Sequence, residues 1–234
     1  MNSEKRYALY YAPHEASALW RAGSAWIGRC AISGDAIKPP EVPGICAQQF
    51  AALTAAPRHY GFHATLKAPF RLAEGATQEI LVAEVRAWGA GQSPFQMPRL
   101  EVRIVDDFLA LAPCSPHRRL DSIAAECVKQ FDHLRAPLTD AEVERRNPRR
   151  LSEHAVELMG LWGYPFVMDL FRFHLSLTGA LPEDSSLRES LQSAASTEIG
   201  PPAGAPAQFD SICLFEEAAP GADFRLVARA PFGA

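Results

Sequence analysis

The chain has little of what marks several large protein classes. Its five cysteines, Cys30, Cys46, Cys114, Cys127 and Cys213, are odd in number and show neither CxxC nor any metal-like spacing. This argues against a disulfide framework and for reduced thiols in a cytoplasmic protein. Long apolar runs are missing too. No stretch approaches the ~20 residues of a membrane span, and "MNSEKRYALYYAP" lacks the core of a signal peptide, so no membrane partner is expected. Positive charge is not in excess: 23 Lys and Arg stand against 27 Asp and Glu, a net charge of -4. No bulk field therefore attracts nucleic acid or an anionic membrane, although a local basic site stays open. P-loop, GxGxxG, HExxH and serine-elbow motifs are all absent.

What remains is an ordinary globular composition, 48% hydrophobic and 21% charged over 234 residues. A chain of that length can bury a sizeable core as one large or two small domains. Element order reads as mixed α/β with antiparallel hairpins. "RYALYYA" is a strand and "EASALWRAGSAWIG" a helix, while "DAIKPPEVPG" is a connection. "TQEILVAEVRAWG" is a helix capped by Thr77 and stopped by Gly89. "FQMPRLEVRIVDDFLALAP" is a hairpin turning near Asp106-Asp107. "SPHRRLDSIAAECVKQFDHLRAP" is the clearest helix, with Ser115 as cap and Pro116 at its first position. Thr139 to Glu142, "TDAE", is a capping box opening a further helical stretch. "LSEHAVELMGLWG" is a helix ending at Gly163, and another helix lies around "DSSLRESLQSAAS". "GPPAGAPAQ" is a loop, and the last residues form a hairpin.

Two stretches carry chemistry. In "GFHATLKAPF", residues 61–70, Phe62, Ala64, Leu66, Ala68 and Phe70 alternate with His63, Thr65 and Lys67. In "FRFHLSLTG", residues 171–179, Phe171, Phe173, Leu175 and Leu177 alternate with Arg172, His174, Ser176 and Thr178. Alternation of this kind puts each polar set on one face of a strand. Aligned on the histidines, both read Phe-His-x-hydroxyl-Leu, which is how a duplicated lobe would look. A His-x-Ser/Thr-Leu tetrapeptide arises by chance about 0.1 times in such a chain. Two copies with matched phase are rarer still, so the pair is read as functional although a single strand histidine is more often structural.

Metal-free cleavage of a phosphodiester needs a base to activate the nucleophile and an acid to protonate the leaving oxygen. Histidine suits both roles near neutral pH. Hydroxyls two residues along the same face can donate to non-bridging phosphate oxygens, and a nearby cation offsets charge that grows in the transition state.

The two motifs, with "RYALYYAP", "RHYGFHATLKAPF", "LWGYPFVMDLFRFHLSLTG" and the C-terminal hairpin, resemble the 2H phosphoesterase superfamily, in particular its phosphonate metabolism branch. The resemblance implies an α/β (α+β) fold in one bilobal domain over residues 1–234, with a pseudo-twofold axis and antiparallel or mixed sheets around a central cleft. Each lobe would supply one motif strand, about 60–72 and 166–179. It further implies His63 and His174 as the catalytic pair, Thr65 and Ser176 as phosphate ligands, no metal and no cofactor. The substrate implied is small and phosphorylated, a phosphoribosyl cyclic phosphate or a related ester.

Further candidates to contact the phosphate ester are Lys67, Arg172, Tyr60, Tyr10 and Arg6. Each has a bland alternative. Lys67 could be a solvated strand-end lysine, Arg172 a structural ion pair, and Tyr60 and Tyr10 core aromatics. Arg6 reaches the cleft only if its strand neighbours the motif strands. The run "ERRNPRR" is either a solvated helix end or a rim gripping a second phosphate. Two rival functions stay open: processing of RNA 2′,3′-cyclic phosphate ends, disfavoured by the net charge, and non-catalytic binding of a phosphate ester.

Overall fold

The computed structural model describes residues 5–146 and 148–233. The first strand, β1 (Arg6–Tyr11), is followed by α1 (Ala18–Ile27), whose Ser17 accepts a hydrogen bond from the Trp20 N–H. Two short helices absent from the sequence reading, α2 (Ala47–Leu53) and α3 (Ala55–Tyr60), then lead into the first motif strand, β2 (Ala64–Phe70). They are short and lack a clear apolar stripe, so periodicity does not reveal them.

Next come α4 (Gln78–Ala90), the two-residue β3 (Phe95–Gln96), and the hairpin of β4 (Leu100–Val105) and β5 (Phe108–Pro113). Thr77 caps α4 as expected, but the helix runs through Gly89 to a cap at Gly91. Gly89 packs close to Ala230 and Pro231, so it serves a close approach rather than a stop. In α5 (Arg118–Gln130) the cap position is His117, and Ser115 and Pro116 lie before the helix, contrary to the expectation. The short α6 (Asp140–Arg145) opens on the Thr139/Glu142 capping box, and α7 (Glu153–Trp162) ends on left-handed Gly163; both were legible in sequence.

The second motif strand, β6 (Leu175–Ala180), is shorter than the alternation predicts, because residues 168–170 form a 3-10 turn and 171–174 are irregular. Then follow α8 (Ser185–Glu198), α9 (Gly200–Ala203) within the supposed loop, β7 (Gln208–Phe209), and the closing hairpin of β8 (Ser211–Glu217) and β9 (Arg225–Pro231).

Seven strands make one sheet in the order β4-β5-β6-β2-β1-β8-β9, and every pairing among them is antiparallel. The two motif strands are central neighbours, joined at Ala64–Leu175. They thus unite a three-stranded and a four-stranded section. Helix α4 packs on β8 and β9, α5 on β2, and α8 on β4 and β5, while α1, α2 and α3 gather on β6. One contiguous apolar core includes Leu9, Trp26, Leu66, Leu175, Leu177 and Phe215. A satellite cluster of Val128, Leu158 and Val167 lies under the segment that contains α7. No helix among the described residues is long and apolar enough to cross a membrane.

Candidate active site

The pairing of β1 with β2 decides which side chains reach the site. Tyr10 lies opposite Thr65, but the next pair is Leu9 with Lys67, and the pair after that is Tyr7 with Phe70. Strand β2 therefore carries extra residues relative to β1, as at β-bulges. Tyr10 and Leu9 point to opposite faces of β1, so Thr65 and Lys67 do as well. The period-2 reading put them on the same face, and it fails at the irregularity between them.

Lys67 is consequently buried away from the cleft, against α5. Its ammonium donates to the Val128 carbonyl at 3.2 Å and pairs with Asp132 at 3.1 Å. The proposed phosphate-ligand position of Lys67 is corrected to a structural one. Arg172 is corrected similarly: it is exposed, pairs with Asp106 at 3.1 Å, and is not among the described residues that line the cleft. The irregular backbone at 171–174 breaks the alternation that would have aligned it with His174.

The cleft, about 450 Å³ in volume, does gather His63, Thr65, His174 and Ser176, together with Arg6, Tyr10 and Tyr60. The two histidines are held in the same way. His63 Nδ1 lies 2.8 Å from the Gly61 carbonyl, and His174 Nδ1 lies 2.7 Å from the Arg172 carbonyl, in each case two residues upstream. A carbonyl only accepts, so both Nδ1 atoms carry the proton and both Nε2 atoms keep a lone pair. His63 Nε2 accepts from the Thr65 hydroxyl at 3.1 Å.

The turn before His63 is built for this bond. Gly61 has φ +84°, and a Cβ there would lie 2.7 Å from that of Ala31, so no other residue fits. Buried Arg29 frames the same turn by donating to the Arg58, His59 and Phe224 carbonyls. Nothing local in the sequence marks Arg29, because its partners come from distant segments.

Tyr10 lines the cleft, but its ring stacks on His63 with centroids 3.7 Å apart. It is a buried support for the imidazole rather than an open face for a base or sugar. Tyr60 is half-buried, with its ring centroid 6.2 Å from that of His63. Arg6 is bound through both Nε and Nη2 by fully buried Glu217, which holds its proton more firmly than usual. Thr178 also borders the cleft, yet its hydroxyl accepts from the Leu109 N–H at 2.9 Å and serves the β5–β6 irregularity. Sequence reading missed Tyr164 and Phe108, which line the cleft, and left open the place of Arg145 and Arg146, which line it too.

Burial pushes His63 down to about 4, and the nearby His174 adds to the shift against the Gly61 bond. Burial likewise lowers His174, opposed by its bond to the Arg172 carbonyl. Both imidazoles are therefore neutral in the ligand-free protein near pH 7. Because the unfolded imidazoles take up protons first, this pair withdraws stability as pH falls from about 6.5 towards 4. No group of three or more His, Cys, Asp or Glu able to hold a metal ion occurs among the described residues.

A central antiparallel sheet with two imidazoles of matched tautomer, each paired in sequence with a hydroxyl, defines a two-histidine α/β protein. The chain belongs to the family described as "Protein of unknown function (DUF1045)", whose model matches residues 65–225. It is 39% identical to the "Ribose 1,5-bisphosphate phosphokinase PhnN" of Janthinobacterium sp. (strain Marseille), over 98% of this chain and 51% of that protein. It is 35% identical to the protein of the same name from Laribacter hongkongensis (strain HLHK9), over 94% of this chain and 50% of that one. The chain thus spans about half the length of the curated relatives it matches. Among solved structures, E. coli LigT complexed with 3'-AMP is similar at TM-score 0.46 and 12% identity, covering 99% of both chains. A crystal structure described only as a phosphoesterase is similar at TM-score 0.45 and 12% identity, covering 98% of this chain and 99% of that one.

Proposed function

We propose that this protein is a phosphodiesterase that hydrolyses a small, cyclic phosphodiester by two-histidine acid–base catalysis. The observation that carries the reading is the matched pair of Nδ1–carbonyl bonds, which leaves two Nε2 atoms available on side chains of one cleft. One neutral imidazole takes a proton from water as the oxygen attacks phosphorus. The other, protonated, gives its proton to the departing sugar oxygen as the P–O bond breaks. The products are a phosphomonoester and a free hydroxyl, and the two histidines exchange protonation states, which solvent then restores.

Because both imidazoles are neutral without ligand, the anionic ester itself favours the protonated partner by its charge. The Thr65 hydroxyl, bonded to His63 in the free protein, turns to donate to a non-bridging oxygen, and Ser176 is the matching donor on the other side. Which histidine begins as base follows from the orientation of the bound ester. The resemblance to phosphonate metabolism proteins, and curated relatives named for a kinase of ribose 1,5-bisphosphate, support a phosphorylated ribose as the framework of that ester. The kinase activity in that name finds no P-loop in this chain.

The test is hydrolysis of ribose and nucleoside cyclic phosphates, followed by phosphorus NMR. A single phosphomonoester product, formed undiminished in EDTA, is expected; loss of turnover on chelation would indicate metal chemistry instead. The pH profile is a second check. A base works above its pKa and an acid below its own, and burial lowers both from 6.5. The bell of kcat/KM is therefore expected to peak on the acid side of pH 6.5. A peak at pH 7.5 or above contradicts the two-histidine assignment.

A further inference from the structure

Among the described residues, the charged side chains lining the cleft are Arg6, Glu142, Arg145 and Arg146, beside the two histidines. Two of them already have full partners. Arg6 is neutralised by Glu217, and Glu142 by Arg71 at 3.0 Å. The other two are neighbours of like sign. Arg146 is half-buried, donates to the Gly163 carbonyl and lies 5.4 Å from the centroid of the Tyr164 ring. Neither a carbonyl nor a ring cancels a full charge. Burial makes Arg146 release its proton more readily, and Arg145 and Arg6 add repulsion, against attraction from Tyr164 and Glu142. Arg145 is exposed and makes no ion pair or hydrogen bond among the described residues. A chain of net charge -4 thus places in its cleft two guanidiniums that form no ion pair with a carboxylate among the described residues.

That wall is held in place before any ligand arrives. The Thr139/Glu142 capping box opens α6, and the same Glu142 ties α6 to Arg71, the residue following β2. Arg146 fastens the end of α6 to Gly163, the cap of α7, and Arg135 donates to the Leu161 carbonyl at 3.1 Å. Two cations that line one cleft are stabilised by an anion that bonds both.

We propose that Arg145 and Arg146 bind a second phosphoryl group, so that the substrate is a phosphodiester that also bears a phosphomonoester. The inference rests on the phosphodiesterase reading and deepens it. A phosphodiester carries one negative charge, and Thr65, Ser176 and an imidazolium already provide for it. A phosphomonoester dianion matches two guanidiniums in charge and in the forked geometry of their donors. Tyr60 and Tyr164 line the same cleft, and a volume of about 450 Å³ accommodates a sugar bearing two phosphates.

The experiment compares adenosine 2′,3′-cyclic phosphate with and without a 5′-phosphate. The unmodified protein is expected to favour the 5′-phosphorylated probe in kcat/KM by about tenfold or more, the scale of a charge-assisted contact. Arg145→Gln should cut that preference, and Arg145→Gln with Arg146→Gln should bring it close to one. Arg103→Gln, on β4 and paired with Glu101, serves as the surface control and keeps it. Equal kcat/KM for the two probes, or a preference that survives the double variant, overturns the proposal. So does a preference for an RNA oligomer with a cyclic end over both mononucleotides.

Calorimetry with ribose 5-phosphate and ribose separates the two readings, with circular dichroism melting to confirm that each variant folds. Binding of the phosphate alone, weakened about tenfold in Arg145→Gln, supports the arginine wall even if no cyclic ester is turned over. In that case only the phosphodiesterase reading falls. Turnover of cyclic esters with no measurable binding of ribose 5-phosphate removes the wall and leaves the catalytic reading intact.

Discussion

His63→Ala and His174→Ala are each expected to lower turnover of a cyclic phosphodiester by about a thousandfold, within the usual contribution of a positioned general acid or base. Both are expected to melt within a few degrees of the unmodified protein. The reason lies in the local packing. Each imidazole is half-buried at a cleft wall, so the space its removal leaves opens onto the cleft rather than into the core. His63→Ala also removes the stacking surface of Tyr10, so it should be the less stable of the two. Removal of a buried neutral histidine takes away a group that weakens the fold in acid. Both variants should therefore lose less stability than the parent between pH 6.5 and 4. Steady-state kinetics on purified variants, with thermal melts at both pH values, read all of this. Turnover close to the parent in either variant removes the two-histidine mechanism outright.

Asp132→Ala is expected to destabilise the fold by about 3 kcal/mol, because it strands a buried cation. The Lys67 side chain is only 3% exposed, and Asp132 is its one carboxylate partner among the described residues. Burial already lowers the Lys67 pKa against the pull of Asp132. Asp132 also receives two bonds from Arg135, at 2.8 and 3.1 Å, so its loss unties that residue as well. Arg135 in turn reaches the Leu161 carbonyl, and the segment bearing Tyr164 should loosen with it. Lys67→Met, by contrast, replaces a buried ion with an apolar chain of similar length and should cost far less. It should also leave kcat/KM of the folded protein unchanged, since the ammonium faces α5 and not the cleft. Urea denaturation of both variants, alongside kinetics of Lys67→Met, gives the comparison. A large fall in kcat/KM for Lys67→Met would return that lysine to the substrate.

These two expectations separate what was legible in the sequence from what was not. The histidines and their hydroxyls could be read because their message is local: a residue, its neighbour two along, and a repeat of the same pattern. Caps such as Thr77, Thr139 and Gly163 were legible for the same reason, since each acts within one helical turn. Arg6 and Tyr10 were placed beside the site only conditionally, and the pairing of β1 with β2 met that condition.

The same pairing moved Lys67. Its face depends on an extra residue in β2 relative to β1, and a bulge is a property of two strands, not of one. Arg172 left the cleft because the chain is irregular before Leu175. Arg145 and Arg146, two of the four arginines in the run that sequence alone could read either way, reached the cleft through the ion pair of Glu142 with Arg71, 71 residues away. By itself, then, the sequence determined the chemistry on offer: two imidazoles, two hydroxyls and a surplus of arginine in one short run. Only the tertiary structure decided which cations face the cleft, because strand register and long-range ion pairs set the direction of a side chain, and no spacing within one segment encodes them.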